Sequence, residues 1–172
     1  MSVHQAIQLM KRDGSRLAEP VPVGDMPPMT FACNFSVEGA NPVEVAALWP
    51  ECPDDLRQFW EEARTARLFE DERYGQWGLE ILDPREAAKV TDDCRATRER
   101  DFGNGDLVVG RFLGDSDLLL VRCDPAVQDF GSVLVALPLD PRPDWYRAAE
   151  TFTAFLDKYV RSGGKKFWTE QE

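Results

Sequence analysis

Aspartates are the residues of this chain whose spacing comes nearest to a metal site or a reaction centre. Asp115 and Asp117 flank one residue just after Gly114, and folding of the chain could bring Asp106 and Asp124 near them. Paired carboxylates of this kind hold divalent cations, because hard cations prefer oxygen ligands. The same residue types also build tight turns, and no EF-hand pattern surrounds them. The spacing around Gly114 fits a hairpin turn better, so we predict no bound metal.

Other residues that commonly do chemistry are scattered along the chain. The single histidine, His4, lies in a segment that we expect to be mobile, which disfavours a Ser-His or Cys-His arrangement. Asp101-Phe102-Gly103 matches the magnesium triplet of kinases, and Gly103-Asn104-Gly105 has glycines, but no phosphate-binding loop accompanies either. We therefore predict a helix-to-strand connection there, with no catalytic residue and no cofactor. An enzyme would need a carboxylate pair with a raised pKa among the clustered acids.

The four cysteines are widely spaced and form no CxxC pair. They are Cys33, Cys52, Cys94 and Cys123. A zinc site needs clustered soft ligands, and a domain of this size does not depend on disulfides for its core. We interpret the cysteines as buried free thiols.

Charge and length restrict the class of partner. The chain has 172 residues and a formal net charge of −11, and residues 51–106 carry 16 acidic against 9 basic side chains. Nucleic-acid and anionic-membrane binding favour the opposite sign, so neither is expected. No apolar run approaches the ~20 residues of a membrane span, and the N-terminus lacks the layout of a secretory signal, so we expect a cytoplasmic protein. The negative field would attract a basic protein partner, or serve solubility alone.

The stretch 106–140 predicts three short antiparallel strands joined by turns. Their apolar residues are Leu107, Val109, Phe112, Leu118, Leu120, Val121, Val133, Val135 and Leu137. Branched apolar runs this short, bounded by glycine, aspartate and proline, favour adjacent antiparallel strands. The connections are too short for crossover helices, which makes a parallel nucleotide-binding sheet improbable.

Four helices are predicted outside these strands, beginning near residues 41, 53, 83 and 148. Asn41-Pro42 and Asp83-Pro84 each combine a capping side chain with a proline at the first helical position. In the second helix, Leu56, Phe59 and Trp60 have the i, i+3, i+4 spacing of a buried face. Short strands are predicted over 67–72 and 78–82.

The N-terminal 40 residues differ from the rest in composition. We predict one or two helical turns over 3–11, an extended arm or linker over the Pro- and Gly-rich residues 13–30, and a short edge strand over 30–35. The prediction is therefore an N-terminal helix, arm and linker over 1–40, followed by a domain over 41–172. A homodimer formed by exchange of the arm remains open.

An ordered series of segments in residues 41–161 resembles the SUKH superfamily. The segments are Pro53–Trp60, Gly78–Pro84, Gly114–Leu120, Gly131–Val133 and Thr151–Leu156. The strand motif that begins at Gly114 is the strongest of them. The chain departs from the family at residues 69–74, where FEDERY stands in place of a glycine after an asparagine.

The resemblance implies both a fold and a role. Bacterial SUKH proteins are mostly immunity proteins of polymorphic toxin systems, and fungal relatives regulate cell-wall synthesis through protein contacts. The implied fold is a single α+β domain with a curved antiparallel β-sheet and helices mainly on one face, to which this chain adds the Pro-rich N-terminal arm. The implied role is binding without catalysis.

We therefore expect an immunity protein that neutralises a cognate bacterial toxin, which in many such systems is a nuclease with a basic cleft. Acidic side chains would occupy the phosphate positions of that cleft. The predicted toxin-binding residues are those that crowd the loops of the most acidic segment, namely Glu70, Asp71, Glu72, Asp101 and Asp106. The alternative is a regulatory or scaffolding module that binds a housekeeping protein.

Overall fold

Two antiparallel sheets form the framework of the protein in a computed structural model that describes residues 1–170. The strands are β1 (Val21–Val23), β2 (Met26–Met29), β3 (Phe31–Phe35), β4 (Ala66–Asp71), β5 (Leu79–Ile81), β6 (Asp106–Phe112), β7 (Leu118–Arg122), β8 (Val133–Ala136) and β9 (Tyr146–Ala149). Strands β3 to β9 follow one another in a seven-stranded antiparallel meander, whereas β1 and β2 form a separate hairpin. The predicted antiparallel strands within 106–140 are confirmed.

Five helices accompany the sheets in the described residues. They are α1 (Val3–Leu17), α2 (Pro42–Leu48), α3 (Asp54–Glu62), α4 (Pro84–Thr97) and α5 (Phe152–Arg161). The two predicted caps are confirmed, because the Asn41 side chain accepts a hydrogen bond from the Val43 N–H and the Asp83 side chain accepts one from the Arg85 N–H. Together these elements make one α+β domain.

The core lies between one face of the sheet and the helices α1, α3 and α5. Aromatic rings fill this layer. The ring centroid of Phe59 in α3 lies 5.5 Å from that of Phe152 in α5 and 6.5 Å from that of Phe35 in β3. Leu56, Phe59 and Trp60 are fully buried, as predicted, and the Trp60 indole N–H donates to the Leu82 carbonyl at 2.9 Å. Burial of each such side chain stabilises the fold by about 1.5–3 kcal/mol before conformational entropy is counted.

Helix α4 completes the sheet where β5 is too short. β5 pairs only with residues 110–112 of β6, so the first half of β6 has a strand beside it only on the β7 side. There the Val108 N–H donates to the Thr91 hydroxyl at 2.9 Å, and the Arg95 guanidinium donates to the Asp106 carbonyl at 2.8 Å. Side chains of α4 thus satisfy the backbone groups of β6 that would otherwise be unpaired.

The N-terminal segment is more ordered than the sequence predicted. Helix α1 begins with a capping box between Ser2 and Gln5 and continues to Leu17, where an extended arm was expected. Its apolar side chains are buried against β3, α3 and α5, and β3 is an edge strand of the main sheet, as predicted. An amphipathic face therefore outweighs Gly14, which packs closely against Cys33. Residues 1–40 belong to the same domain as the rest.

The last part of the chain also differs from the prediction. The expected helix from Ala148 begins only at Phe152, where the Thr151 hydroxyl caps it by accepting from the Ala154 N–H. Residues 146–149 instead form β9, which pairs with β8 and buries Ala148 and Ala149. The helical spacing of Ala148 with the later aromatic residues was coincidental, because alanine fits a strand next to a filled core equally well.

Candidate recognition loop

The five predicted binding residues fall into two groups that lie apart. Glu70, Asp71 and Glu72 lie at the end of β4, whereas Asp101 and Asp106 lie before and at the start of β6. Strands β4 and β6 run in the same direction, since each is antiparallel to β5. The two groups therefore occupy opposite ends of the sheet and form no common acidic surface.

Asp106 is the centre of a buried ion cluster. Its carboxylate is fully buried and accepts hydrogen bonds from Arg122 and Arg142, each at 2.5 Å for the closest pair, and from the Gly103 N–H at 2.7 Å. Burial raises the pKa of an aspartate, but the hydrogen bonds from the two arginines outweigh burial and hold the pKa of Asp106 below its ordinary value. An interior ion of this kind positions neighbouring segments and is not available to a partner.

Asp101 connects the same cluster to the segment after β8. It accepts from the Arg98 guanidinium at 2.9 Å and from the Arg142 backbone N–H at 3.2 Å. Both hydrogen bonds hold the pKa of Asp101 below its ordinary value, and the bond from the Arg142 N–H has the larger effect. Its backbone carbonyl also accepts from the Arg142 side chain at 2.7 Å. The predicted residues Asp101 and Asp106 thus hold Arg98 and Arg142 in place.

Those two arginines fix residues 138–145, between β8 and β9. We call this segment the proline loop, because it contains Pro138, Pro141 and Pro143. Arg98 donates to the carbonyls of Leu137 at 2.9 Å and Asp140 at 2.7 Å. The Trp145 indole N–H donates to the Asp140 carbonyl at 3.1 Å. The backbone on both sides of Leu139 is therefore held by hydrogen bonds as well as by prolines.

Aromatic rings complete the support beneath the proline loop. Trp145 and Phe102 are buried, with ring centroids 5.1 Å apart. Two guanidinium groups contact the Trp145 ring. That of Arg98 lies 5.4 Å from the ring centroid, and that of Arg142 lies 5.3 Å from the same centroid. Cation–π contacts in a partly desolvated site stabilise such an arrangement by about 1–2 kcal/mol. The Asp101-Phe102-Gly103 segment is part of this support, in the predicted helix-to-strand connection.

Leu139 stands out at the tip of the loop, with 94% of its surface exposed. The carboxylates of Asp140 and Asp144, in the same loop, are exposed and form no salt bridge within residues 1–170. The proline loop therefore presents an apolar tip with acidic neighbours on a backbone that is already ordered. The segment itself gives no sign of Arg98 and Asp106, the distant residues that fix it.

Glu70, Asp71 and Glu72 lie opposite residues 30–32, which directly follow the N-terminal hairpin, the β1–β2 unit. Asp71 is buried and accepts hydrogen bonds from the N–H groups of Arg73 and Tyr74 at 3.0 and 3.2 Å, so it caps a turn. Glu70 pairs with Arg67 at 2.6 Å. Glu72 is exposed and accepts from the Thr30 hydroxyl at 3.3 Å. Of the three, Glu72 alone has a carboxylate that faces the solvent freely.

Asp115 and Asp117, whose spacing in the sequence most resembled a metal site, pair with a lysine in the structure. The ammonium group of Lys166 pairs with Asp115 and lies 3.0 Å from Asp117. The C-terminal segment is thereby attached to the β6–β7 turn. Within residues 1–170, no group of three or more histidine, cysteine, aspartate or glutamate side chains is placed to hold a metal ion.

The four cysteines form no disulfide with one another. Cys52 and Cys123 are buried, as predicted, whereas Cys33 and Cys94 are only half-buried. Burial raises the pKa of Cys33 to about 11 and that of Cys52 to about 12, and it raises the pKa of Cys94 and Cys123 as well. Since the thiolate is the nucleophilic form, these side chains are protonated and weakly reactive near neutral pH.

Comparison with known proteins identified no relative of this chain. No protein-family model matches the chain, and neither does any curated protein or solved structure. Among the helices of residues 1–170, none has both the length and the apolar character that crossing a bilayer requires.

Proposed function

We propose that this protein is an immunity protein that binds a cognate bacterial toxin through protein contact, and that the proline loop forms part of the contact. The observation that carries the proposal is the fully exposed Leu139 on a backbone fixed by Arg98 and Trp145. The resemblance to SUKH proteins, most of which are immunity proteins in bacteria, supports the choice of function.

A single exposed leucine is common on protein surfaces, so exposure by itself says little. The proline loop differs because its order depends on the buried carboxylate of Asp106 and on charged hydrogen bonds from outside the loop. A side chain held on an ordered backbone loses little conformational freedom when it enters a pocket of a partner. Rigid presentation of an apolar tip is therefore the property that suits a binding surface.

Charge favours a basic partner for the same loop. Asp140 and Asp144 of the loop are exposed, and the chain as a whole carries −11. Such a field increases the rate of encounter with a basic cleft and makes that rate depend on salt. A toxin that acts on nucleic acid would present such a cleft, with the acidic side chains taking the place of phosphates.

The first experiment is co-expression with the toxic C-terminal domain of each large secreted protein encoded beside this gene. We expect rescue of growth and co-purification with one of them. Failure of every neighbouring domain, together with co-purification of a housekeeping protein, would contradict the immunity function in favour of the regulatory module.

The second experiment tests the loop within the identified complex. Leu139→Ser should weaken binding about 10- to 100-fold, which corresponds to the loss of one buried leucine. Val37→Ser is the matched control, because Val37 is 99% exposed but lies outside the loop. Arg98→Met should also weaken binding, since it keeps Leu139 but releases the backbone on both sides of it. Equal affinity of the Leu139 and Val37 variants would show that the loop is not in the contact.

A further inference from the structure

An apolar pocket lies beside the N-terminal hairpin, on the side of the strand order away from the proline loop. It has a volume of about 190 Å³ and is walled by Val21, Met29, Phe31 and Trp77. Glu19 and Lys165 lie at its rim. A dry apolar cavity of about 150 Å³ holds one benzene molecule, so this pocket has room for a single large apolar side chain.

The pocket is formed before any ligand arrives. The Trp77 indole N–H donates to the Gly164 carbonyl at 3.0 Å, which fixes the ring that forms one wall. Gly163, at φ +64°, allows the adjoining turn to approach α1, because a Cβ there would lie 2.7 Å from the Leu17 carbonyl oxygen. Since the Trp77 ring and the adjoining turn are fixed, an entering side chain would not have to displace them.

The same surface carries an apolar protrusion. Met26 follows the Gly24-Asp25 turn of the hairpin and is 54% exposed. It pairs with Val23 at the tip, whereas the pocket lies at the other end of the hairpin, where Val21 pairs with Met29. Three residues of extended chain span about 10 Å, so Met26 does not reach the pocket of its own chain.

One of the two charged residues beside the pocket, Lys165, has the sign opposite to that of Asp25 beside the protrusion, whereas the other, Glu19, has the same sign. Asp25, adjacent to Met26, and Lys165, at the pocket rim, are both exposed and have no salt-bridge partner in the part of the chain that the structure describes. A methionine that enters the pocket of a neighbouring molecule would bring its aspartate towards that lysine. Its thioether would meet the rings of Trp77 and Phe31, a contact that sulfur favours.

We infer that this surface joins two copies of the chain in a symmetric dimer, with Met26 of each copy in the pocket of the other and Asp25 paired with Lys165 of the other copy. Protrusion and pocket belong to one surface, so a two-fold axis satisfies both contacts at once and the assembly closes. Prolines at 22, 27 and 28 remove backbone donors from the hairpin, which disfavours strand addition and leaves side-chain insertion as the mode of contact.

The dimer should be weak. The hairpin offers fewer residues than the 20–30 a side of a standard interface, and each copy carries −11, which opposes association. We expect a dissociation constant of about 10–100 µM. The inference concerns the protein alone and is independent of the immunity function.

Sedimentation equilibrium of the full chain between about 1 µM and 1 mM tests the inference. The wild type should change from monomer to dimer over this range, and Met26→Glu should raise the dissociation constant at least about tenfold, the effect of losing one buried apolar side chain at each of two sites. Val43→Glu is the matched control, because Val43 is 76% exposed on α2 and lies outside the surface. A monomer at every concentration, or equal dissociation constants for the two variants, would overturn the inference.

A charge exchange tests the pairing itself. Lys165→Glu should weaken the dimer, and Asp25→Lys in the same chain should restore it, because the exchanged pair attracts again across the axis. Circular dichroism of each variant confirms that the fold is intact. A double variant that dimerises no better than Lys165→Glu alone would overturn the arrangement proposed for the two copies.

Discussion

The proline loop and the N-terminal hairpin are both exposed and rich in proline, yet they are held by different means. Arg142 binds the proline loop to the interior carboxylate of Asp106. Arg98, which pairs with Asp101, donates to the carbonyls of Leu137 and Asp140. The hairpin depends on contacts near the surface, such as the hydrogen bond from the Tyr74 hydroxyl to the Pro27 carbonyl at 3.3 Å. Proline content therefore does not reveal how firmly a segment is fixed, because the deciding partners are distant in sequence.

The largest effect on this difference between the two segments is expected from removing the buried charge of Asp106. Asp106→Asn should lower the free energy of unfolding by about 3–5 kcal/mol at neutral pH, because Arg122 and Arg142 would be left without their buried counter-ion. Urea unfolding measures the change. The matched variant Asp92→Asn should change stability by less than about 0.5 kcal/mol, since Asp92 is exposed and its contact with Arg95 is 3.7 Å long. A loss below about 1 kcal/mol for Asp106→Asn would mean that the cluster does not hold the loop.

Acid should weaken the proline loop's support through the same carboxylate. The pKa of Asp106 is lowered in the folded protein, so its contribution to stability is fully present above the pKa of about 3.9 of an unfolded aspartate. That contribution is lost as the pH falls through the lower folded value. Unfolding of the wild type and Asp106→Asn at a series of pH values should show a stability difference that is constant near neutrality and shrinks in acid. A difference independent of pH below 4 would contradict the ion pairing.

The smallest expected effect concerns the hairpin. Tyr74→Phe removes one long hydrogen bond near the surface and should cost about 0.5–1 kcal/mol. Hydrogen exchange should become faster in β1 and β2, whereas the amides of the proline loop should be unchanged. Tyr146→Phe provides the control, because Tyr146 is exposed on β9, away from the hairpin. Equal acceleration in both regions would show that they do not open independently.

The predicted acidic residues illustrate what a sequence reveals about a site. Charge density singled out the segment that contains Asp101 and Asp106, and these residues do order the candidate loop. Their burial was not predictable, since Asp106 becomes an interior residue only when Arg122 and Arg142 converge on it from β7 and the proline loop. Leu139 carried no local signal at all, because exposure is a property of the whole fold.

The backbone conformation of Phe69 is a second feature that the local sequence does not predict. It lies at the start of FEDERY, where the chain departs from the SUKH pattern, and it adopts φ 51°, a conformation that favours glycine. The Phe69 ring is fully buried, 5.4 Å from that of Tyr159, and packs directly against Gly164. Packing from α5 and the following turn thus stabilises a backbone conformation that the local sequence disfavours.

By itself, the sequence determined the antiparallel strands within residues 106–140, the helix caps at Asn41 and Asp83, and the buried face of α3. Each of these follows from interactions between residues close together in the chain, where periodicity and turn chemistry apply. The tertiary structure decided which charges are interior, which proline-rich segment is fixed and where apolar side chains remain exposed. Those properties depend on contacts between residues tens of positions apart, and local patterns do not encode them.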